Sequence, residues 1–416
     1  MTPILPLAII VAKSPRILVL FLGRCKTEMN ARERYLAVMN FEEVDRTLLW
    51  EFAYWASAVR RWYKEGLPKV KGIPEDVPDG WSMFAECGGT PIGRPTDEDV
   101  HNYFGMDPAI VRVPLKIGAY PPYEEKIIED HGDWYIWQDG EGCLRRDRKD
   151  KGSVPAYIGW PVKNRQDWER YKEERLQPSL EGRLPGNWPQ LVEEYKNRDY
   201  PLALGQLGGF FGTPRWLLGA EELLIKYYDD PELMKDINNY LADFWIALFD
   251  GVLSQVQADA MFIWEDMAYK KGPLISPAMF REFILPGYKK LTGFLKDHGV
   301  NIINVDSDGN IWKLIPLWIE GGVTVLYPFE VEAGMDIVEV RKAFPRLGIM
   351  GGLEKKVITE GKEAIDRELE AKVPFMLQHG GYVPCADHSV QPGASFENYA
   401  YYRRRLEQMI RGDKKA

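Results

Sequence analysis

The chain has 416 residues, 45% hydrophobic and 28% charged, an ordinary globular composition. Its net charge of −9 speaks against a nucleic-acid partner. Cys25, Cys87, Cys143 and Cys385 show no paired or CxxC spacing, which argues against a disulfide framework and points to a reducing, cytoplasmic compartment.

Two apolar patches open the chain, Ile4 to Val11 and Ile17 to Leu22, split by Lys13 and Arg16. Neither approaches the ~20 residues of a membrane helix, so no membrane partner is expected. Residues 1–28 read as an extension outside the fold, and residues 29–416 as a single domain. Ala31 to Met39 is an amphipathic helix. Thr47 to Phe52 reads as a first parallel strand, followed by a helix over Ala53 to Glu65. Residues 67–160 are rich in Pro, Gly and aromatics, with a hairpin pattern over Trp134 to Asp147. This region is expected to be an antiparallel β insertion holding one further parallel strand.

From Leu202 the pattern is regular. Short apolar runs at Leu202–Leu207, Met261–Trp264, Val300–Val305, Val323–Tyr327, Leu347–Met350 and Tyr382–Pro384 each end in a polar or Gly-rich tip, and helical segments lie between them. Parallel strands need such crossovers, and those crossovers share one hand, so the tips fall at one edge of the sheet. About eight strand–helix units predict a (β/α)8 TIM barrel with the antiparallel insertion in its N-terminal half. A doubly wound sheet is the alternative, against which no GxGxxG follows the first strand.

The tips gather Glu51, Gln206, Glu265, Asp266, Asp306, Asp308, Glu330, Cys385, Asp387 and His388 at one mouth. So many carboxylates together must hold a cation, be neutralised or pair with bases. Oxygen ligands with a thiolate and an imidazole suit a zinc-like ion. Alternatively, Ser307-Asp308-Gly309-Asn310 is only a turn and Cys385 only a small buried side chain. Phe210, Trp264 and Tyr327 flank the tips and suit a flat ligand, or else pack beneath the loops.

The segments Trp264-Glu265-Asp266, Gly272-Pro273-Leu274-Ile275-Ser276-Pro277, Asp306-Ser307-Asp308-Gly309-Asn310, Gly351-Gly352-Leu353-Glu354-Lys355 and Gly380-Gly381-Tyr382-Val383-Pro384 resemble the uroporphyrinogen decarboxylase superfamily. The resemblance implies a (β/α)8 barrel and one of two activities. One is cofactor-free decarboxylation of a porphyrinogen. The other is methyl transfer to or from a corrinoid carried by a partner protein, with zinc. Where decarboxylases carry Arg-Gln-Ala-Gly-Arg, this chain has Trp50-Glu51-Phe52-Ala53-Tyr54-Trp55 and lacks the arginines that bind tetrapyrrole carboxylates. Where the zinc methyltransferases carry His-x-Cys, it has Asp306-Ser307-Asp308, and it keeps a later cysteine, Cys385.

The resemblance therefore implies a corrinoid-dependent methyltransferase acting on a small methylated substrate. A metal would rest on Asp306, Asp308 and Cys385. Glu265, Asp266 and Asp306 are the catalytic candidates, and Glu51, Gln206, Phe210, Trp264, Tyr327, Glu330 and His388 the substrate-binding ones. The alternative is a decarboxylase of a porphyrinogen-like or other carboxylate substrate. The resemblance also implies a homodimer.

Overall fold

The computed structural model describes residues 28–412, apart from 76, 78, 81, 86–95, 109 and 150–155 and the side chains at 83–85, 96, 97 and 206. The expected N-terminal extension thus lies outside the described residues, but for Glu28.

Seven strands form one sheet: β1 (Val111–Arg112), β2 (Leu202–Leu207), β3 (Ala260–Trp264), β4 (Ile302–Asp306), β5 (Val325–Tyr327), β6 (Gly348–Met350) and β7 (Tyr382–Val383). Each is parallel to the one before it. A doubly wound sheet reverses its strand order from the middle. This one keeps chain order throughout, which is the winding of a TIM-type fold.

Strand alternation sorts the side chains into two cores. Met261, Ile263, Ile303, Val305, Leu326 and Ile349 face outward and pack in the large core shared with the crossover helices. Ala260, Phe262, Ile302, Val325, Tyr327, Met350 and Val383 face inward. Val383 on one edge strand and Ile110 beside the other belong to this same inner cluster, so the sheet curls. The helix Ala31–Met39 starts in a capping box of Asn30 and Glu33 and adds Tyr35, Val38 and Met39 to the inner cluster.

The segment 47–52, expected as a strand, makes none. It lies between the two sheet edges instead. Leu49 O accepts from Asp107 N at 2.9 Å, and the Thr47 hydroxyl donates to Tyr382 O at 2.5 Å. The Asp107 carboxylate takes the Leu49 N–H at 2.7 Å, the group that a neighbouring strand would need. Side chains thus replace the ladder. The architecture is a curled, seven-stranded parallel α/β sheet of partial TIM type.

A separate four-stranded antiparallel sheet comprises Lys126–Asp130, Trp134–Gln138, Leu144–Arg148 and Ala156–Gly159. Its Tyr157 ring meets Trp216 at 5.0 Å, and Trp216 meets Trp264 at 5.6 Å. This aromatic chain sets the second sheet beside the C-terminal end of β3. No described helix is long and apolar enough to cross a membrane.

Candidate functional site at the C-terminal edge of the sheet

In register, Trp264, Asp306 and Tyr327 end β3, β4 and β5 side by side. They share the inward parity of Ala260, Ile302 and Val325, so they form the top layer of the interior. Just beyond, Asp266 adopts φ +45°, a left-handed conformation uncommon for a residue with a side chain. Its carboxylate accepts the Asp308 N–H at 3.1 Å. One carboxylate oxygen each from Asp266, Asp306 and Asp308 lies within 4.8 Å of the others.

Burial, and then the charges of Asp266 and Asp308, push the Asp306 carboxyl well above the usual carboxylate range. Asp308 is pushed up to about 7 by burial and by the neighbouring Asp266 and Glu330. Burial raises Asp266 too, against the pull of the Asp308 N–H, Arg215 and His388. His388 stands 3.7 Å from Asp308, and burial together with Lys355 lowers its pKa, so its imidazole is neutral at pH 7. Glu330 accepts the Gly309 N–H at 3.0 Å. Phe52 packs edge-on to both Tyr327, at 5.1 Å, and His388, at 5.4 Å.

Cys385 is not in this carboxylate group. Its side chain is fully buried in the apolar interior, where burial and Glu51 raise the thiol pKa. The reason is positional. Two strands, β5 and β6, separate β7 from β4, about 14 Å along a sheet at ~4.8 Å per strand. Adjacent β3 delivers Asp266 instead. The set Asp306, Asp308 and Cys385 does not converge, and a thiolate-bearing zinc site does not fit these residues. The oxygen trio does fit a divalent cation.

Glu265 does not face the mouth either. One residue past inward-facing Trp264, it points outward. Its carboxylate accepts from the backbone N–H groups of Phe210, Phe211 and Gly212 at 2.8–2.9 Å and from the Tyr288 hydroxyl at 2.6 Å. Burial pushes it up to about 7. It satisfies the donors at the start of the helix Gly212–Leu218 and stands outside the carboxylate trio. Phe210 lies in the outer core between Trp245 and Tyr288. Glu51 is buried, accepts from Ala386 N at 2.8 Å and pairs with Arg403 at 3.3 Å, which ties the 47–52 segment to the loop after β7. The Gln206 side chain lies outside the described residues.

Two residues, Arg112 and Asn304, escaped sequence reasoning, as did the bracing role of Asp387. Arg112 ends β1 with its guanidinium over the Phe262 ring at 5.3 Å, and it pulls the Asp306 pKa down. Buried Asp387 accepts from Val331 N and Lys355 N at 2.8 and 3.0 Å, and so braces the loops after β5, β6 and β7 together. Asn304 is fully buried one layer below Asp306. Inward parity with Asp306 was the available signal for Asn304.

A curled, chain-ordered parallel α/β sheet with ionisable loops gathered at its C-terminal edge defines a partial TIM-type fold, and that edge is where the candidate site lies. The chain belongs to the uroporphyrinogen decarboxylase (URO-D) family, whose model matches residues 149–408. That span holds β2 to β7 and every member of the carboxylate trio. No curated protein matches the chain.

Proposed function

We propose that this URO-D-family chain is a methyltransferase that moves a methyl group from a small O-methylated substrate to a corrinoid carried by a partner protein. The observation that carries the reading is the convergence of Asp266, Asp306 and Asp308. Three carboxylates that close repel one another unless they hold a proton or a cation. Methyl loss from an ether leaves an oxygen that needs just such an electrophile. A porphyrinogen bearing several carboxylates needs a cationic mouth instead, and this mouth is acidic.

The chain's own residues then have distinct tasks. Asp308, beside His388, holds a proton near neutrality at the carboxyl that meets the departing oxygen. Asp306 sets the depth of the site, flanked by Trp264 and Tyr327 as walls for the substrate. Phe52 closes on Tyr327 and His388 and keeps water from that side. A divalent cation on the trio would instead ionise these carboxyls and, in place of the Asp308 proton, polarise that oxygen. The corrinoid supplies the methyl-accepting cobalt.

The test is an assay of the purified chain with free cob(I)alamin and a panel of methyl ethers, read by the visible spectrum of methylcobalamin. Ether-dependent formation of methylcobalamin, lost in Asp306→Asn, is the expected result. Carbon dioxide release from a porphyrinogen, with no methylcobalamin from any ether, would overturn it in favour of decarboxylation.

A further inference from the structure

The end of the sheet opposite the mouth holds a cavity of about 210 Å3. Ile302, the first residue of β4, and Met39, the last of the helix Ala31–Met39, line it together with Phe41. Lys296, Asn301 and Arg346 give it a polar side. Four residue steps along β4, at ~3.3 Å each, set it about 13 Å below Asp306.

Two cations line this cavity and no carboxylate does. Glu42 and Asp297 are chain neighbours of Phe41 and Lys296, yet neither lines it. Among the described residues Lys296 and Arg346 form no ion pair, whereas Lys289 and Lys290 on the same helix as Lys296 pair with Glu320 at 3.0 Å and Asp243 at 2.5 Å. Arg346 reaches Asn40 O at 3.5 Å, the limit of a hydrogen bond. Its guanidinium sits over the Phe41 ring at 4.5 Å. A guanidinium stacked on a ring keeps its N–H fork for an oxyanion.

The ring is held where it is. Phe41 has a left-handed φ of +59°, and Gly381 leaves it room, since a Cβ there would run into the ring. Buried Arg341 lies on the same ring at 5.0 Å; burial, and then the charge of Arg346, push it down to about 10. The local field is therefore positive. Helix C-termini offset part of it: Lys296 lies in the last turn of Leu285–Asp297, and Asn40 caps Ala31–Met39. Each terminus is worth about half a negative charge, so the two leave the cavity cationic. The Asn301 amide, whose contact with Gly299 O is a long 3.5 Å, adds a neutral donor.

We propose that this cavity binds a phosphate dianion, free or as a small monoester, between Lys296 and Arg346. An arginine fork takes two phosphate oxygens and a lysine adds a point charge. A carboxylate carries one charge and would leave one of the two cations unmatched. The volume is below the ~300–1,000 Å3 of sites for drug-sized ligands, so the occupant is small, and Met39, Phe41 and Ile302 face the carbon side of an ester. Bound there, the anion joins the ends of two helices and the turn before β6, which lie far apart in the chain. The site stands outside the mouth and does not rest on the methyl-transfer reading.

The test is isothermal titration calorimetry of the full-length protein at constant ionic strength in chloride buffer, with inorganic phosphate, methyl phosphate and benzoate as ligands. One phosphate per chain, with a Kd of ~1 mM or tighter, is the expected result. Either phosphate as the tighter ligand upholds the proposal and names the source. Arg346→Gln and Lys296→Gln should each weaken binding about 10-fold, the scale of one charge-assisted hydrogen bond, and the double variant should show no saturable binding. Both side chains are exposed, and circular dichroism establishes that the variants are folded. Phosphate should raise the melting temperature of the parent and not of the double variant. Three results overturn the proposal: no saturable binding by ~10 mM, ten times that Kd; phosphate binding that survives in the double variant; or benzoate binding as tightly as phosphate.

Discussion

The Asp308 backbone N–H donates to the Asp266 carboxylate at 3.1 Å. This one bond hooks the loop after β4 onto the loop after β3. It brings the Asp308 side chain to the Asp266 side chain although 42 residues separate them. It also gives a reason for the left-handed backbone at Asp266, a conformation that costs on the order of 1 kcal/mol and persists where neighbours fix it.

Asp266→Asn keeps an acceptor for that N–H and removes a charge. The variant should fold with a melting temperature near the parent's and lose on the order of 100-fold in kcat, the scale of a lost acid–base group. Asp266→Ala should lose the hook as well and melt several degrees lower. Steady-state kinetics and thermal melts on both variants check this. Equal activity in Asp266→Asn and the parent would sink the site assignment.

Asp308 gives a pH signature in chelator. Its folded pKa, about 7, is raised above its unfolded value, so the neutral carboxyl is the form the fold favours. The contribution to stability is full below pH ~4 and is lost as pH rises through about 7. Asp308→Asn should therefore stabilise the protein at pH 8 by on the order of 1 kcal/mol, after discounting for the solvent that reaches this side chain, and change little at pH 4. Urea titrations at the two pH values measure the difference.

Glu265 should show its structural role. Glu265→Ala strands three buried N–H groups and the Tyr288 hydroxyl. A loss of about 3–5 kcal/mol is expected from several unsatisfied buried donors. Glu265→Gln, which retains acceptor capacity, should lose less stability and keep most of its kcat. A Glu265→Gln protein of full stability and no activity would show instead that the group acts in the reaction.

Cys385 should behave as a buried small side chain. Burial pushes its thiol up, so iodoacetamide should modify it only after denaturant is added. Cys385→Ala should cost about 1 kcal/mol, the price of a small cavity. Peptide mapping after timed alkylation reads the first effect, and urea melts read the second. Rapid labelling in the native protein would contradict the buried position.

Local sequence determined the strands and their tips. The short apolar runs from Leu202 onward, each closed by Gly, Pro or Asp, became β2 to β7 within a residue or two, because alternation and turn chemistry act over a few neighbours. Asn30, Ser276 and Ser395 start helices by an equally local device, since each side chain caps its own first turn. The tertiary structure alone decided which tips meet. Glu265 and Asp266 are neighbours in the chain, yet strand parity turns one into a helix N-terminus and a positive φ turns the other into the mouth. Thr47 to Phe52 has a strand's composition, but Asp107 captures the N–H of Leu49 that a ladder would use. Asp306 ends β4 and Cys385 follows β7, but β5 and β6 stand between those strands, and Asp266 from the loop after adjacent β3 takes the place beside Asp306. Spacing along the chain carries no record of spacing across the sheet. That distance is fixed by ladder register and curl, which depend on residues hundreds of positions apart.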